Sequence, residues 1–141
     1  MRILFVCTAN SARSQMAEGL ARRLAAPEVE VASAGTLPAG VSPFAVATMR
    51  ERGIDISTQR AKRVEEVPGE FDYVITLCDD AAQACPVVPA RRARLHWSLP
   101  DPAGAAGDDA RRRIVFARIR DDIERRLRVF LEAEGLLDAT P

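Results

Sequence analysis

Four short apolar runs separated by stretches of helical period constrain this chain more than any other feature. Residues 2–6, "RILFV", form a continuous apolar run rich in strand formers, the pattern of a strand covered on both faces. From Ser11 the period changes: Met16, Leu20 and Leu24 recur every four residues and place one apolar stripe on a helix that stops before Pro27. "VEVASAG" (29–35) predicts a second strand ending in a glycine turn. "SPFAVATMRERG" then predicts a helix capped by Ser42, with Pro43 in its first turn and Gly53 at its close. "DYVITL" (72–77) and "RLHWSL" (94–99) are the third and fourth strands. From Asp108 to Glu134, Phe116, Ile119, Ile123, Leu127 and Phe130 form the stripe of a long last helix, with acids at its start and Gly135 after its end. Alternation of this kind predicts βαβ units, hence an α/β fold with a four-stranded parallel sheet and helices on both faces. At 141 residues, with no repeat or linker, residues 1–141 are expected to form a single domain.

Composition removes several functions. Lysine plus arginine number 20, aspartate plus glutamate 20, and the formal net charge is 0, so nothing in the bulk charge suggests nucleic acid or a membrane surface as partner. No apolar stretch is long enough to cross a bilayer, and "MRILFV" turns polar too soon for a signal sequence, so a soluble cytoplasmic protein is expected. Three cysteines, Cys7, Cys78 and Cys85, are an odd count that a purely structural disulfide set would not leave. In a reducing compartment they point to chemistry or to core packing.

In parallel sheets ligands bind beyond the carboxyl ends of the strands, and strand one ends at Cys7. The loop that follows, "CTANSARS", can wrap the backbone N–H groups of Thr8, Ala9, Asn10, Ser11 and Ala12 around an anion, with the positive end of the next helix dipole aimed at the same spot. Arg13 can add a bidentate fork to two oxygens of a tetrahedral oxyanion. Cys7 then lies beneath that anion, in a field that favours a thiolate, and Ser14 is placed to donate a hydrogen bond to its sulfur. The glycines and lysine of a nucleotide-binding P-loop are absent, which disfavours nucleotide hydrolysis.

Thiolate attack on the centre of a tetrahedral oxyanion needs a proton for the departing oxygen. "SLPDPAG" offers Asp101, held between two prolines just beyond strand four, at the same edge of the sheet. Ala103 and Gly104 follow it, so this loop carries no aromatic ring. Cys78 and Cys85 form a C-x6-C pair after strand three, around a stretch with the composition of a short helix. Helical geometry would hold their Cα atoms about 10 Å apart. A disulfide needs roughly 7 Å or less, so the pair can bond only if that segment unwinds. With no C-x2-C and His96 as the sole histidine, a zinc site is not expected.

The residues "CTANSARS" match the C-x5-R-S loop of the low-molecular-weight protein tyrosine phosphatase superfamily, and Asp101-Pro102 matches its acid loop. "VITLCDDAAQACPVVP", followed by "HWSLPDPAG", resembles one branch of it, the thioredoxin-coupled arsenate reductases, and "GIDISTQRAKR" resembles a stretch shared across the superfamily. The resemblance implies arsenate as substrate, Cys7 as nucleophile, Arg13 as clamp, Asp101 as acid, and a disulfide relayed from Cys7–Cys78 to Cys78–Cys85. It also implies a monomer that needs no cofactor and takes its electrons from thioredoxin. Some relatives hold potassium beside the loop with Asn, Glu, Ser and Asp. Asn10, Glu18 and Ser33 match the first three, whereas the fourth position holds Lys62, the only lysine in the chain. Two readings of Lys62 stand: its ammonium occupies the cation's place, or it is a solvated surface lysine. A second departure is Ala9 where many relatives have glycine. The alternative enzyme is a phosphatase acting on phosphotyrosine or small phosphoesters through Cys7, Arg13 and Asp101. A non-enzymatic phosphate-binding or redox-sensing protein would not need nucleophile, clamp and acid together.

Overall fold

The structure, a computed structural model, describes residues 1–78 and 87–139. In chain order it contains β1 (Arg2–Cys7), α1 (Arg13–Leu24), β2 (Glu30–Gly35), α2 (Pro43–Arg50), β3 (Tyr73–Thr76), β4 (Ala93–His96) and α3 (Asp109–Ala133). Short 3-10 turns occupy Val64–Glu66 and Pro102–Gly104. The four strands make one parallel sheet in the order β2-β1-β3-β4. In register, Cys7 lies opposite Gly35 and Val6 opposite Thr76, so the ends of the two central strands meet at one edge.

Helix boundaries follow the local chemistry. Ser42 Oγ accepts the Ala45 N–H before α2, and Asp108 does the same for the Arg111 N–H before α3, each satisfying a donor that helix geometry leaves open. Ile3 to Val6 are wholly buried because β1 is central and covered on both sides. One face carries α1, α2 and α3, whose Met16, Leu20, Met49, Phe116 and Ile123 close over Ile3, Phe5 and Ile75. The other is covered more thinly: Leu4, Val6 and Val74 meet Phe71, with Val64, Val67 and Val88 packed around them. Among the described residues, helical structure thus lies on both faces but unequally, three α-helices against the single 3-10 turn at Val64–Glu66. Gly19 is where α1 meets the 54–56 segment: a Cβ there would sit 2.7 Å from Ile56 Cγ2.

The fourth strand is shorter than its apolar pattern suggests. The Trp97 N–H makes the last bond to β3, to the Thr76 carbonyl at 2.8 Å, the Trp97 ring packs in the core against Phe130 at 6.3 Å between ring centroids, and Pro100 carries no N–H with which to extend a ladder. The chain that follows brings Asp101 toward the end of β1. None of the helices among the described residues is long and apolar enough to cross a membrane.

Candidate active site

The loop between β1 and α1 is built to present its N–H groups. The carbonyls of Thr8, Ala9 and Ser11 are turned outward and accept hydrogen bonds from Thr36, Leu37, Ala39 and Ser42, at 2.9 to 3.0 Å. The Asn10 carbonyl accepts from Gln15 Nε2 at 3.0 Å. With the carbonyls taken, the N–H groups of residues 9–12 have no acceptor among the described residues. The N-cap residue of α1, Ala12, supplies no side-chain cap either. Backbone donors and the positive end of a 12-residue helix therefore converge on one spot. Gly35 makes room for this loop, since a Cβ there would lie 2.5 Å from the Thr8 oxygen and 2.9 Å from both the Asn10 nitrogen and the Cys7 oxygen.

Asn10 is the only described non-glycine residue with positive φ, at 47°, a conformation that costs on the order of 1 kcal/mol and that Asn tolerates better than most residues. Its side chain holds it there. Oδ1 accepts from the Lys62 N–H and from Gln15 Nε2, so the amide orientation is fixed and Nδ2 donates to Ser14 Oγ at 2.7 Å and Ser33 Oγ at 3.0 Å. Ser33 in turn donates to Glu18 Oε1 at 2.6 Å. Ser14, already accepting from Asn10, has its own hydrogen available for Cys7 Sγ, 2.8 Å away. The polar chain from Glu18 to Cys7 is buried throughout.

The structure brings Cys7, Arg13 and Asp101 into one cleft of about 280 Å³. Arg13, buried at the first position of α1, spends Nη1 on the carbonyls of Leu77 and Leu99, both at 3.0 Å, while Nη2 lies 3.7 Å from Asp101 Oδ2. Its guanidinium thereby ties the loop to the residue before Cys78 and to the strand-four exit. Asp101 Oδ1 accepts the Ala103 N–H at 3.0 Å, which fixes the carboxylate at the start of its 3-10 turn. Lys62 Nζ reaches to 3.6 Å from Glu18 Oε1 and donates to the Arg60 carbonyl, so Asn10, Glu18, Ser33 and Lys62 form one cluster behind the loop.

Cys78 lies in the core, two residues beyond the end of β3. It is wholly buried, because β3 is an interior strand, and it is disulfide-bonded, while Cys7 is a free thiol. Cys85 and the segment 79–86 lie outside the described residues. Among the described residues no cluster of His, Cys, Asp or Glu is arranged to hold a metal.

Sequence reasoning missed three side chains that line the cleft: Phe44 of α2, and Arg112 and Phe116 of α3. The two rings stand 5.4 Å apart between centroids and give the cleft an apolar wall that the Asp101 loop itself lacks. The signal was available only in part. Arg112 and Phe116 are four residues apart and so share a helix face, but nothing local says that this face meets the end of β1.

A family profile described as "Low molecular weight phosphotyrosine protein phosphatase" matches residues 2–137. The arsenate reductase of Halalkalibacterium halodurans is 46% identical over 131 residues, covering 92% of this chain and 94% of that protein. Among solved structures, an arsenate reductase in the phosphate binding state superposes with a TM-score of 0.79 at 34% identity, covering 94% of this chain and 97% of the other. A thioredoxin-dependent arsenate reductase of Corynebacterium glutamicum follows at a TM-score of 0.69 and 30% identity, with 94% of this chain aligned to 60% of that one.

Proposed function

Because the chain belongs to the low molecular weight phosphotyrosine protein phosphatase family, we propose that the Cys7 cleft binds arsenate and reduces it to arsenite. The observation that carries this reading is the pairing of two features at one sheet edge. A thiol under an anion-binding loop stands at the end of β1, and a second, disulfide-bonded cysteine stands at the end of the neighbouring β3. A phosphatase uses the first and has no use for the second.

The Cys7 thiolate attacks the arsenic of an arsenate held by the loop N–H groups and Arg13. Asp101 protonates the departing oxygen, which leaves as water, and a Cys7–S–As(V) adduct remains. The Cys78 thiolate then attacks Cys7 Sγ. A Cys7–Cys78 disulfide forms, the S–As pair of electrons passes to arsenic, and arsenite leaves with arsenic reduced from the pentavalent to the trivalent state. Cys85 attacks Cys78 next, which frees Cys7 and leaves a Cys78–Cys85 disulfide for the dithiol of thioredoxin to reduce. A free Cys7 with Cys78 in a disulfide is the arrangement expected after that last exchange. The reading carries with it a monomeric enzyme in the cytoplasm, where thioredoxin is kept reduced.

Mixing the reduced protein with arsenate and mapping disulfides by mass spectrometry tests the scheme. A Cys78–Cys85 bridge accompanied by stoichiometric arsenite is the expected product. Arsenate left unreduced, with all three thiols intact, would return the protein to the phosphatases. One observation does favour a residual phosphatase activity: the Phe44–Phe116 wall gives an aryl leaving group a surface to pack on.

Lys62 supplies a further expectation. With its ammonium 3.6 Å from Glu18 behind the loop, the positive charge is built into the chain. Initial rates in potassium chloride and in sodium chloride at equal ionic strength should agree within about twofold, screening being the same in both. Strong stimulation by potassium alone would refute the role given to Lys62.

A further inference from the structure

We propose that Arg112 is a second oxyanion-binding cation of the cleft, which captures the substrate dianion at the mouth and delivers it to the Arg13 loop; the arsenate part of this rests on the reductase reading, the oxyanion part does not.

Charge at the site carries the inference. Among the described residues, and apart from Cys7, whose thiolate adds a negative charge once formed, the charged side chains lining the cleft are Arg13, Asp101 and Arg112. Arg13 is already engaged by two carbonyls and lies 3.7 Å from the Asp101 carboxylate, so this pair sums to zero charge before any substrate arrives. The chain as a whole has a formal net charge of 0 and supplies no long-range pull. Among the described side chains that line the cleft, the positive charge not already matched by a carboxylate is that of Arg112; the loop amides and the helix terminus add a field that fades within about a turn.

The setting of Arg112 fits binding better than structure. Its guanidinium makes no hydrogen bond or ion pair with another described residue, whereas Arg120, Arg125, Arg126 and Arg128 further along α3 each pair with an acid. It is exposed, so its charge is hydrated and free to turn to a ligand. The N–H of Arg112 donates to the Asp108 carbonyl at 3.0 Å, which holds its backbone in the first turn of α3. The i,i+4 spacing then puts it on the face of Phe116, toward Cys7. Arg113, the next residue, is exposed and does not line the cleft, which makes it a control of equal charge.

The test reads oxyanion binding without requiring turnover. Alkylation of Cys7 by iodoacetamide is followed by mass spectrometry in the reduced protein while inorganic phosphate is added as protectant. In Arg112→Ala the half-protecting concentration should rise about 5- to 10-fold, the lower end of what a charged cleft contributes, and more in Arg112→Glu. Arg112→Lys should restore protection to within about twofold, since a diffuse charge rather than a fork is required. Arg113→Ala should match the parent. Protection should also weaken less with added sodium chloride in Arg112→Ala than in the parent. In arsenate turnover the same variant should show KM raised by a similar factor with kcat nearly unchanged. Unchanged protection in both Arg112→Ala and Arg112→Glu would overturn the proposal, and so would an equal effect of Arg113→Ala. If the parent reduces no arsenate while phosphate protection still depends on Arg112, the reductase reading fails and this inference stands.

Discussion

Cys7→Ser is expected to lower arsenite formation by about 1,000-fold or more, in line with the loss of a nucleophile that acts as one unit with its binding site. The hydroxyl that replaces the thiol is not ionised at neutral pH, forms no S–As bond whose electron pair can pass to arsenic and cannot enter a disulfide, so both the first and the second chemical steps are lost. The binding site survives the change. Cys7 is buried, the substituted side chain is of similar size, and Ser14 Oγ at 2.8 Å can hydrogen-bond a hydroxyl as well as a sulfur. The loop N–H groups and Arg13 are untouched, so inorganic phosphate should still raise the Tm of the variant, and by a similar amount. Arsenite would be quantified under multiple-turnover conditions with reduced thioredoxin. A variant that retained more than about a tenth of the parental rate would exclude Cys7 as the nucleophile.

Cys78→Ser separates reduction from hydrolysis. The Cys7 adduct can form, but no neighbouring thiolate attacks its sulfur, and multiple-turnover arsenite release should fall about 100-fold or more. Cys78 lies outside the set of groups that line the cleft, so hydrolysis of p-nitrophenyl phosphate, which in the proposed scheme does not involve Cys78, should stay within about twofold of the parent. Because Cys78 is wholly buried, the serine variant also needs a folding control, and phosphate protection of Cys7 provides it: an intact loop protects at the parental concentration. Arsenate turnover at the parental rate in this variant would remove Cys78 from the relay. The carbonyl of Leu77 accepts from Arg13 at 3.0 Å, so in the proposed scheme the residue before Cys78 is tied to the guanidinium assigned to the anion.

Much of the architecture was legible because it is local. "RILFV" is a buried central strand, the Met16, Leu20 stripe lies on α1 against the sheet, and Ser42 and Asp108 cap the helices that they precede. Each of these follows from a period of two or of 3.6, or from a side chain that satisfies a backbone donor close by in sequence. The exit of the chain after His96 was not legible in "RLHWSL", where apolar continuity suggested a longer strand. Beyond the strand, Trp97 is buried against Phe130, a contact across more than thirty positions of sequence that no local pattern encodes.

The candidate site divides the same way. The order of residues in "CTANSARS" determined by itself that a cysteine would end a strand, that donors would follow it, and that an arginine and a serine would open a helix, because all of these lie within one loop whose geometry is set by its neighbours in the chain. Only the tertiary structure decided which distant groups meet there: Asp101 beside Arg13, the Glu18, Ser33 and Lys62 cluster behind Asn10, and the Phe44, Phe116 and Arg112 wall over Cys7. The physical reason is sheet order. Placing β1 between β2 and β3 gathers the loops of three βα connections at one edge, and that adjacency is a property of long-range packing rather than of any stretch of sequence.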